Sequence, residues 1–142
     1  MYLLDTNVVS ELRKTKSNKA DKHVVAWANS VSASTLFLSV ISILELETGI
    51  LLLERKDPAQ GSLLRSWLET HVLTAFVDRV LPVDIAVARQ CAKLHIPNPQ
   101  SDRDAMIAAT AFVHGMIVVT RNTNDFTNTG VEILNPWNHL RC

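Results

Sequence analysis

Glycine and cysteine are scarce in this chain of 142 residues, and neither sign of charge is in excess. The four glycines stand singly and cannot form a phosphate-binding glycine loop, which argues against an enzyme that uses a nucleotide cofactor. Cys91 and Cys142 lie far apart and match neither a zinc site nor a disulfide framework. The five histidines also lack the spacing of zinc ligands, so the sequence does not indicate a zinc hydrolase.

The balance of charge limits how the protein can bind nucleic acid. Fourteen Lys and Arg residues offset fourteen Asp and Glu residues, so any contact with nucleic acid must be local rather than made by a generally basic surface. One basic cluster follows the first predicted helix, and it is either a solvated loop or a patch that steers phosphates: Arg13, Lys14, Lys16, Lys19 and Lys22.

Long hydrophobic runs are also absent. No stretch is long enough to span a membrane and no signal-peptide pattern opens the chain, so we expect a cytoplasmic protein with no membrane segment. The length and the ordinary composition fit one domain, residues 1–142, built around a single core.

Short apolar runs alternate with helical patterns along the chain. Five of these runs are predicted to be strands: residues 2–4, 36–38, 80–83, 116–119 and 131–134. Parallel strands need long crossover connections, and the helical segments between the runs can supply them. The sequence therefore predicts an α/β fold with a central parallel sheet of about five short strands.

Two long apolar helices follow one another in the middle of the chain. The first is predicted over residues 42–54, and the second opens at Asp57 and Pro58, which fit a cap and the first helical position, and runs to about Phe76. Together they predict a helical hairpin, whose surplus of leucine could also supply a subunit interface. The residues expected on the core side of the second helix are Leu63, Leu64, Trp67, Leu68 and Leu73.

Four acidic residues are predicted to lie where strands end or helices begin. Ligands bind outside the carboxyl ends of parallel strands, so acids at these positions can meet in one crevice. Mg²⁺ and Mn²⁺ prefer oxygen ligands, and a set of carboxylates is the usual way to hold them. The candidate catalytic and metal-binding residues are Asp5, Glu45, Asp104 and Asp125.

Each of these acids also has a purely structural explanation. Asp5 can cap the helix that follows it, and Asp125 can be a loop acid. A buried acid needs a partner, and no Lys or Arg stands four residues after Glu45 or Asp104, so a shared cation would satisfy both. Spacing alone leaves the metal site and the caps open, because two pairs also fit the capping-box pattern: Ser42 with Glu45, and Ser101 with Asp104.

Five segments, taken together and in order, resemble the PIN-domain family. Within that family the chain is most similar to VapC-type toxins, and the final Asn-Pro-Trp is typical of the FitB-like subgroup. The resemblance extends from end to end of the chain. The segments are LLDTNVVSE at 3–11, LSVISILEL at 38–46, DAMIAATA at 104–111, VTRNTNDF at 119–126 and NPW at 135–137.

This resemblance implies a PIN-like three-layer fold and a metal-dependent endoribonuclease that uses Mg²⁺ or Mn²⁺ to activate water against RNA. It implies the toxin of a type II toxin–antitoxin pair, which binds a cognate antitoxin protein and tends to form a homodimer. Asp5, Glu45 and Asp104 match the three central acids of the family. Many members place the fourth acid where this chain has Asn122, whereas others carry it at the position of Asp125; Thr120 matches an auxiliary hydroxyl residue beside the acids.

Two other functions remain to be weighed against the ribonuclease. Phosphoryl transfer through an aspartyl nucleophile also places an aspartate after the first strand, but it needs a second aspartate where this chain has Asn7. A metal-binding interaction module would keep its antitoxin complex and lose turnover at Asn122. Retained antitoxin binding without RNA cleavage would identify such a module.

Overall fold

Five short parallel strands form the centre of the molecule, as predicted. A computed structural model describes residues 1–140, so Cys142 lies outside the described part of the chain. The strand order is β3-β2-β1-β4-β5, and every neighbouring pair is parallel. β1 is therefore central, and the proline-flanked β3 lies at an edge, where a missing N–H is tolerated. The strands are β1 (Tyr2–Leu4), β2 (Leu36–Ser39), β3 (Val80–Leu81), β4 (Ile117–Val119) and β5 (Ile133–Leu134).

Helices make the connections between the strands. The cap of the helix at Pro58 is Asp57, as the sequence predicted, and Gly115 ends the last helix with a left-handed backbone at φ 65°. Over residues 1–140, no helix has the length and apolarity that crossing a membrane requires. The helices are α1 (Thr6–Leu12), α2 (Lys22–Ser30), α3 (Val40–Lys56), α4 (Pro58–Trp67), a π-helical turn (Leu68–Val72), α5 (Leu73–Ala75), α6 (Ile85–Leu94) and α7 (Asp102–His114).

The start of α3 differs from the prediction. Its N-cap is Ser39, whose hydroxyl accepts from the Ile41 N–H at 3.0 Å, so Ser42 is already inside the helix and forms no capping box. Glu45 consequently lies in the second turn, and the capping-box explanation of this acid is wrong. The prediction failed because two serines stand close together, and only the one at the strand end can leave the helix.

The sheet separates two apolar layers because successive strand residues point to opposite faces. Leu4 and Leu38 pack with Trp27, Leu46 and other residues of α1 to α4. Leu3 and Val118 face the other way and pack against α7. The fold thus has three layers, helices on both sides of a parallel sheet, as the sequence led us to expect.

The helical hairpin of α3 and α4 is present, but its inward face is narrower than predicted. Leu68 is buried and Leu64 and Trp67 are partly buried, whereas Leu63 and Leu73 are 65% and 40% exposed. Leu63 and Leu64 point about 100° apart around the helix axis, and only Leu64 is turned toward the core. The π-helical turn changes the phase of the chain before Leu73, which turns this residue outward.

Gly61 allows the two helices of the hairpin to approach closely. A Cβ atom at this position would lie 2.6 Å from the Cα of Glu54. Arg65 lies one turn further along α4 and joins the same helices through ion pairs to Glu47 at 2.6 Å and Glu54 at 3.0 Å. A side chain at Gly61 would therefore force the backbones apart at the point where the hairpin closes.

We predict that Gly61→Ala lowers the free energy of unfolding by about 1–3 kcal/mol, because overpacking against backbone cannot relax cheaply. Gly49→Ala is the matched control: this glycine is also inside a helix, but nothing lies within 4 Å of its added Cβ. The control should raise stability by about 0.5–1 kcal/mol through helix propensity. Urea denaturation measures both, and equal effects of the two substitutions would contradict the close approach.

Candidate active site

Asp5 lies at the carboxyl end of the central strand β1, beside the end of β4. Its backbone N–H donates to the Val119 carbonyl at 2.9 Å, so the sheet itself places the residue. The residue is only 6% exposed. Because β1 and β4 are parallel neighbours, the residue after β4, Thr120, comes to lie next to Asp5.

Asp5 caps the helix that follows it, as one of the two interpretations predicted, and uses both carboxylate oxygens in hydrogen bonds. Its Oδ1 accepts from the Thr6 N–H at 2.8 Å and caps α1. Its Oδ2 accepts from the buried Thr120 hydroxyl at 2.8 Å. Burial is the main cause that raises the pKa of Asp5 above 3.8, and the nearby charges of Glu45 and Asp125 raise it further. The carboxyl group that caps α1 is therefore held by hydrogen bonds to both oxygens, and its surroundings disfavour its ionised form.

Asn7 joins the two strand ends across the site. Its Nδ2 lies 3.4 Å from both Asp5 Oδ2 and Thr120 Oγ1, and its Oδ1 accepts from the Arg121 N–H at 3.3 Å. In the sequence, Asn7 argued only against an aspartyl-phosphate mechanism. Its position two residues after Asp5, in the first turn of a helix, was the available signal that its side chain also faces this edge of the sheet.

Glu45 reaches the same edge from α3. Its Oε1 accepts from the Thr6 hydroxyl at 2.7 Å, and its Oε2 lies 3.9 Å from Arg103 Nη1. Thr6 therefore links Glu45 to the turn that carries Asp5. Arg103 is a basic neighbour of Glu45 that the spacing of residues along α3 did not predict, because Arg103 lies on α7.

Asp104 enters from the first turn of α7 and is partly buried. Its pKa is raised from 3.8 to about 6 by burial first, and then by the charges of Asp125, Asp5 and Glu45. Such effects require the other three acids to lie near Asp104. The charges of all three therefore disfavour the ionised form of Asp104.

Asp125 differs from the other three acids in its placement. It is exposed on the 3₁₀ turn Thr123–Asp125, beyond the end of β4. Asn122 lies closer in, since its N–H donates to the Thr120 hydroxyl at 3.0 Å and the residue borders the same cleft as Asp5. Asp125 therefore adds negative charge near the site without lining the cleft, and the residue that lines it here, Asn122, is uncharged.

An open cleft of about 440 Å³ collects these residues at one edge of the sheet. Its lining combines the acids with two basic residues, Lys14 and Arg121. Trp137 also borders it, so the Asn-Pro-Trp segment, which in the sequence indicated only a subgroup, contributes to the cleft. The lining residues are Asp5, Thr6, Asn7, Ser10, Glu11, Lys14, Glu45, Asp104, Arg121, Asn122 and Trp137.

A divalent cation suits this donor set. Within residues 1–140, neither Asp5 nor Asp104 forms a salt bridge, so two carboxyl groups with raised pKa values face the cleft without a basic partner. All the candidate donors are oxygens, which hard cations prefer. In the same part of the chain, no three acidic, His or Cys side chains are already arranged around one ion position. The carboxylates repel one another, and a cation bound between them would offset that repulsion.

Comparison with known proteins connects this site to a family. The model of the PIN domain matches residues 2–132. The chain is 39% identical to the VapC ribonuclease Y4jK of Sinorhizobium fredii, over 96% of this chain and 98% of that protein. It is 38% identical to the toxin FitB of Neisseria gonorrhoeae, over 96% of this chain and 99% of that protein.

Solved structures of related proteins have the same fold as this chain. The crystal structure of FitAcB from Neisseria gonorrhoeae superposes with a TM-score of 0.86 at 35% identity, and covers 97% of this chain and 99% of that one. A toxin–antitoxin complex from Klebsiella pneumoniae matches at 23% identity with a TM-score of 0.68, which supports the fold alone. Matches over nearly the full length, at this level of identity, show that the chain belongs to the PIN-domain family.

Proposed function

We propose that the protein is a divalent-metal-dependent endoribonuclease and the toxin of a toxin–antitoxin pair. One observation supports this most: carboxyl groups from three separate elements, Asp5, Glu45 and Asp104, border a single cleft. Two of them have raised pKa values and no basic partner in residues 1–140. Carboxyl groups with raised pKa values that share a cleft are typical of functional sites, and a cation would offset their negative charge.

The proposed mechanism gives each residue at the cleft a separate role. We assign Asp5 and Asp104 as the principal ligands of Mg²⁺ or Mn²⁺, which supplies Lewis acidity and neutralises charge on a phosphate. Thr120 holds Asp5 Oδ2 in place through its hydroxyl, at 2.8 Å. Glu45 completes the set, oriented by Thr6 at 2.7 Å. Hydrolysis would add water across the P–O3′ bond and leave a 5′-phosphate and a 3′-hydroxyl.

Asp125 and Asn122 define the outer side of the proposed site. Asp125 contributes negative charge from the exposed rim, and we assign it to a second cation position or to the water shell of the first. Asn122 is neutral, and its backbone N–H donates to the Thr120 hydroxyl, so we assign it to supporting Thr120 rather than to balancing the charge of a cation. Single-stranded or loop RNA is the expected substrate class, since its bases and phosphates can enter an open cleft.

The proposed protein partner is an antitoxin. The relative FitB is named a toxin, and its solved structures are of the FitAcB and FitAB complexes. Exposed leucines on the hairpin, Leu51 at 52% and Leu52 at 64%, offer apolar surface for an antitoxin segment or a second copy of the chain. The alternative, an interaction module without turnover, shares this surface and differs only at the cleft.

Removal of the metal tests the proposal. Purified protein should cleave single-stranded RNA in Mg²⁺ or Mn²⁺, stop when EDTA is added, and resume when the metal is restored in excess. The proposed oxygen-only site also predicts that Mg²⁺ alone suffices, with no requirement for zinc. Cleavage that continues in EDTA would exclude the metal-dependent mechanism, and antitoxin binding without cleavage in any metal would identify the interaction module.

A further inference from the structure

Arg121 is the basic side chain at the cleft that has no acidic partner among residues 1–140. Lys14, which also lines the cleft, is paired with Glu11 at 3.2 Å. Arg103 approaches Glu45 at 3.9 Å. Arg121 is exposed, borders the cleft and takes part in no salt bridge within the same residues.

An aromatic ring holds the guanidinium group of Arg121 instead. The Cζ atom lies 5.2 Å from the centre of the Trp137 ring, within the range of a cation–π contact. Trp137 is itself fixed: its backbone N–H donates to Asn135 Oδ1 at 2.9 Å, and its side chain packs against the core beside α2. At the other end, the Arg121 N–H donates to Asn7 at 3.3 Å, which ties the residue to the turn that carries Asp5.

We propose that Arg121, stacked on Trp137, binds a phosphate of the RNA strand next to the bond that is cleaved. A guanidinium group presents several N–H donors in a plane and matches the oxygens of a phosphate. A guanidinium group stacked on a ring keeps the N–H donors at its edge available. The contact also restricts the side chain before RNA binds, so binding costs less conformational entropy. This inference rests on the proposed ribonuclease activity and assigns the Asn-Pro-Trp segment a positioning role in substrate binding.

RNA explains these features better than a protein ligand does. Every nucleotide brings a phosphate, so a strand that enters the acidic centre also places a phosphate at the border of the cleft, where Arg121 is held. A carboxylate of an antitoxin would meet the same guanidinium only if that partner entered the cleft. Contact with such a carboxylate is therefore a separate outcome of the test.

The experiment compares Arg121→Ala with Arg89→Ala, a control that removes the same charge from an exposed position on α6 outside the cleft. With a short dye-labelled single-stranded RNA, Arg121→Ala should raise KM about 10- to 100-fold, since a charged hydrogen bond is lost, while kcat changes little. The slope of log(kcat/KM) against log[salt] should become shallower by about 0.7 for one lost phosphate contact. Arg121→Lys should restore the salt slope but not the full affinity.

A binding measurement separates this inference from the proposed function. Fluorescence anisotropy of the same RNA with Ca²⁺ in place of Mg²⁺ reports the Arg121 contact even if the wild-type protein fails to cleave. Weaker binding by Arg121→Ala than by the control supports the inference. Equal KM, affinity and salt slope in the two variants would overturn it, and so would a loss confined to antitoxin binding.

Discussion

Asp5→Asn is expected to lower kcat/KM for metal-dependent RNA cleavage by about 10³-fold. A bound cation contributes several kcal/mol to stabilising charge in the transition state, and each 1.36 kcal/mol is a factor of ten in rate. Asparagine keeps the oxygen that accepts from the Thr6 N–H, so the cap of α1 and the turn should survive. The substitution removes the negative charge and leaves most of the local structure unchanged.

Asp84→Asn is the matched control for this experiment. Asp84 also caps a helix, since its Oδ1 accepts from the Val87 N–H at 3.0 Å, but it lies at α6 and does not border the cleft. Single-turnover cleavage at saturating Mg²⁺ should be unchanged in this variant. Undiminished cleavage by Asp5→Asn would contradict the assignment of Asp5 as a metal ligand.

Asp104→Asn is expected to change activity and stability in opposite directions. Cleavage should fall by about 10³-fold for the same reason as at Asp5. The metal-free protein should become more stable at pH 7.5, by about 1 kcal/mol once solvent screening of this partly exposed group is allowed for. Activity and stability change in opposite directions because the carboxylate is proposed to bind the metal ion and destabilises the folded protein when no metal is bound.

The sign of the stability effect follows from the raised pKa. The folded protein holds the Asp104 proton up to a pKa of about 6, whereas the ordinary value is 3.8. The stabilising contribution of this group is therefore complete below pH 3.8 and is lost as the pH rises through about 6. Wild type and Asp104→Asn should therefore have equal free energies of unfolding near pH 3.8. Above that pH the wild type should become the less stable of the two.

Urea denaturation at several pH values measures this divergence. Asp102→Asn is the control, because Asp102 opens the same helix but its side chain is 86% exposed. Addition of Mg²⁺ should stabilise wild type and Asp102→Asn, and leave Asp104→Asn little changed. A variant Asp104→Asn that is less stable than wild type at pH 7.5 would show that the carboxylate serves the fold.

The fold was predictable to the extent that it depends on local patterns. Apolar strands between amphipathic helices indicate a parallel sheet, and the alternation of Leu3 and Leu4 explains its two buried faces. The boundary of α3 was wrong because Ser39 and Ser42 are equally good caps in sequence, and only the neighbouring strand decides between them. The outward Leu73 was missed because a π-helical turn leaves no clear pattern in the residues.

The sequence predicted that Asp5, Glu45 and Asp104 would lie at one cleft, but it did not predict the hydrogen bonds and contacts that hold them. Asp5, Glu45, Asp104 and Asp125 each stand near an element end, and sequence reasoning can find such positions. The contacts from Thr6 to Glu45 and from Arg121 to Trp137 join residues that are far apart in the chain. Such pairs depend on the order of the strands and on side-chain direction, which a single sequence does not provide.

Anomalous scattering from Mn²⁺ in crystals of the protein tests the central claim most directly. We predict one strong peak between the carboxyl groups of Asp5 and Asp104, about 2.1 Å from an oxygen of each, or joined to one of them through water. The peak should be absent from crystals of Asp5→Asn. A saturating soak that gives no peak at these two residues, or gives one only elsewhere on the molecule, would contradict the account.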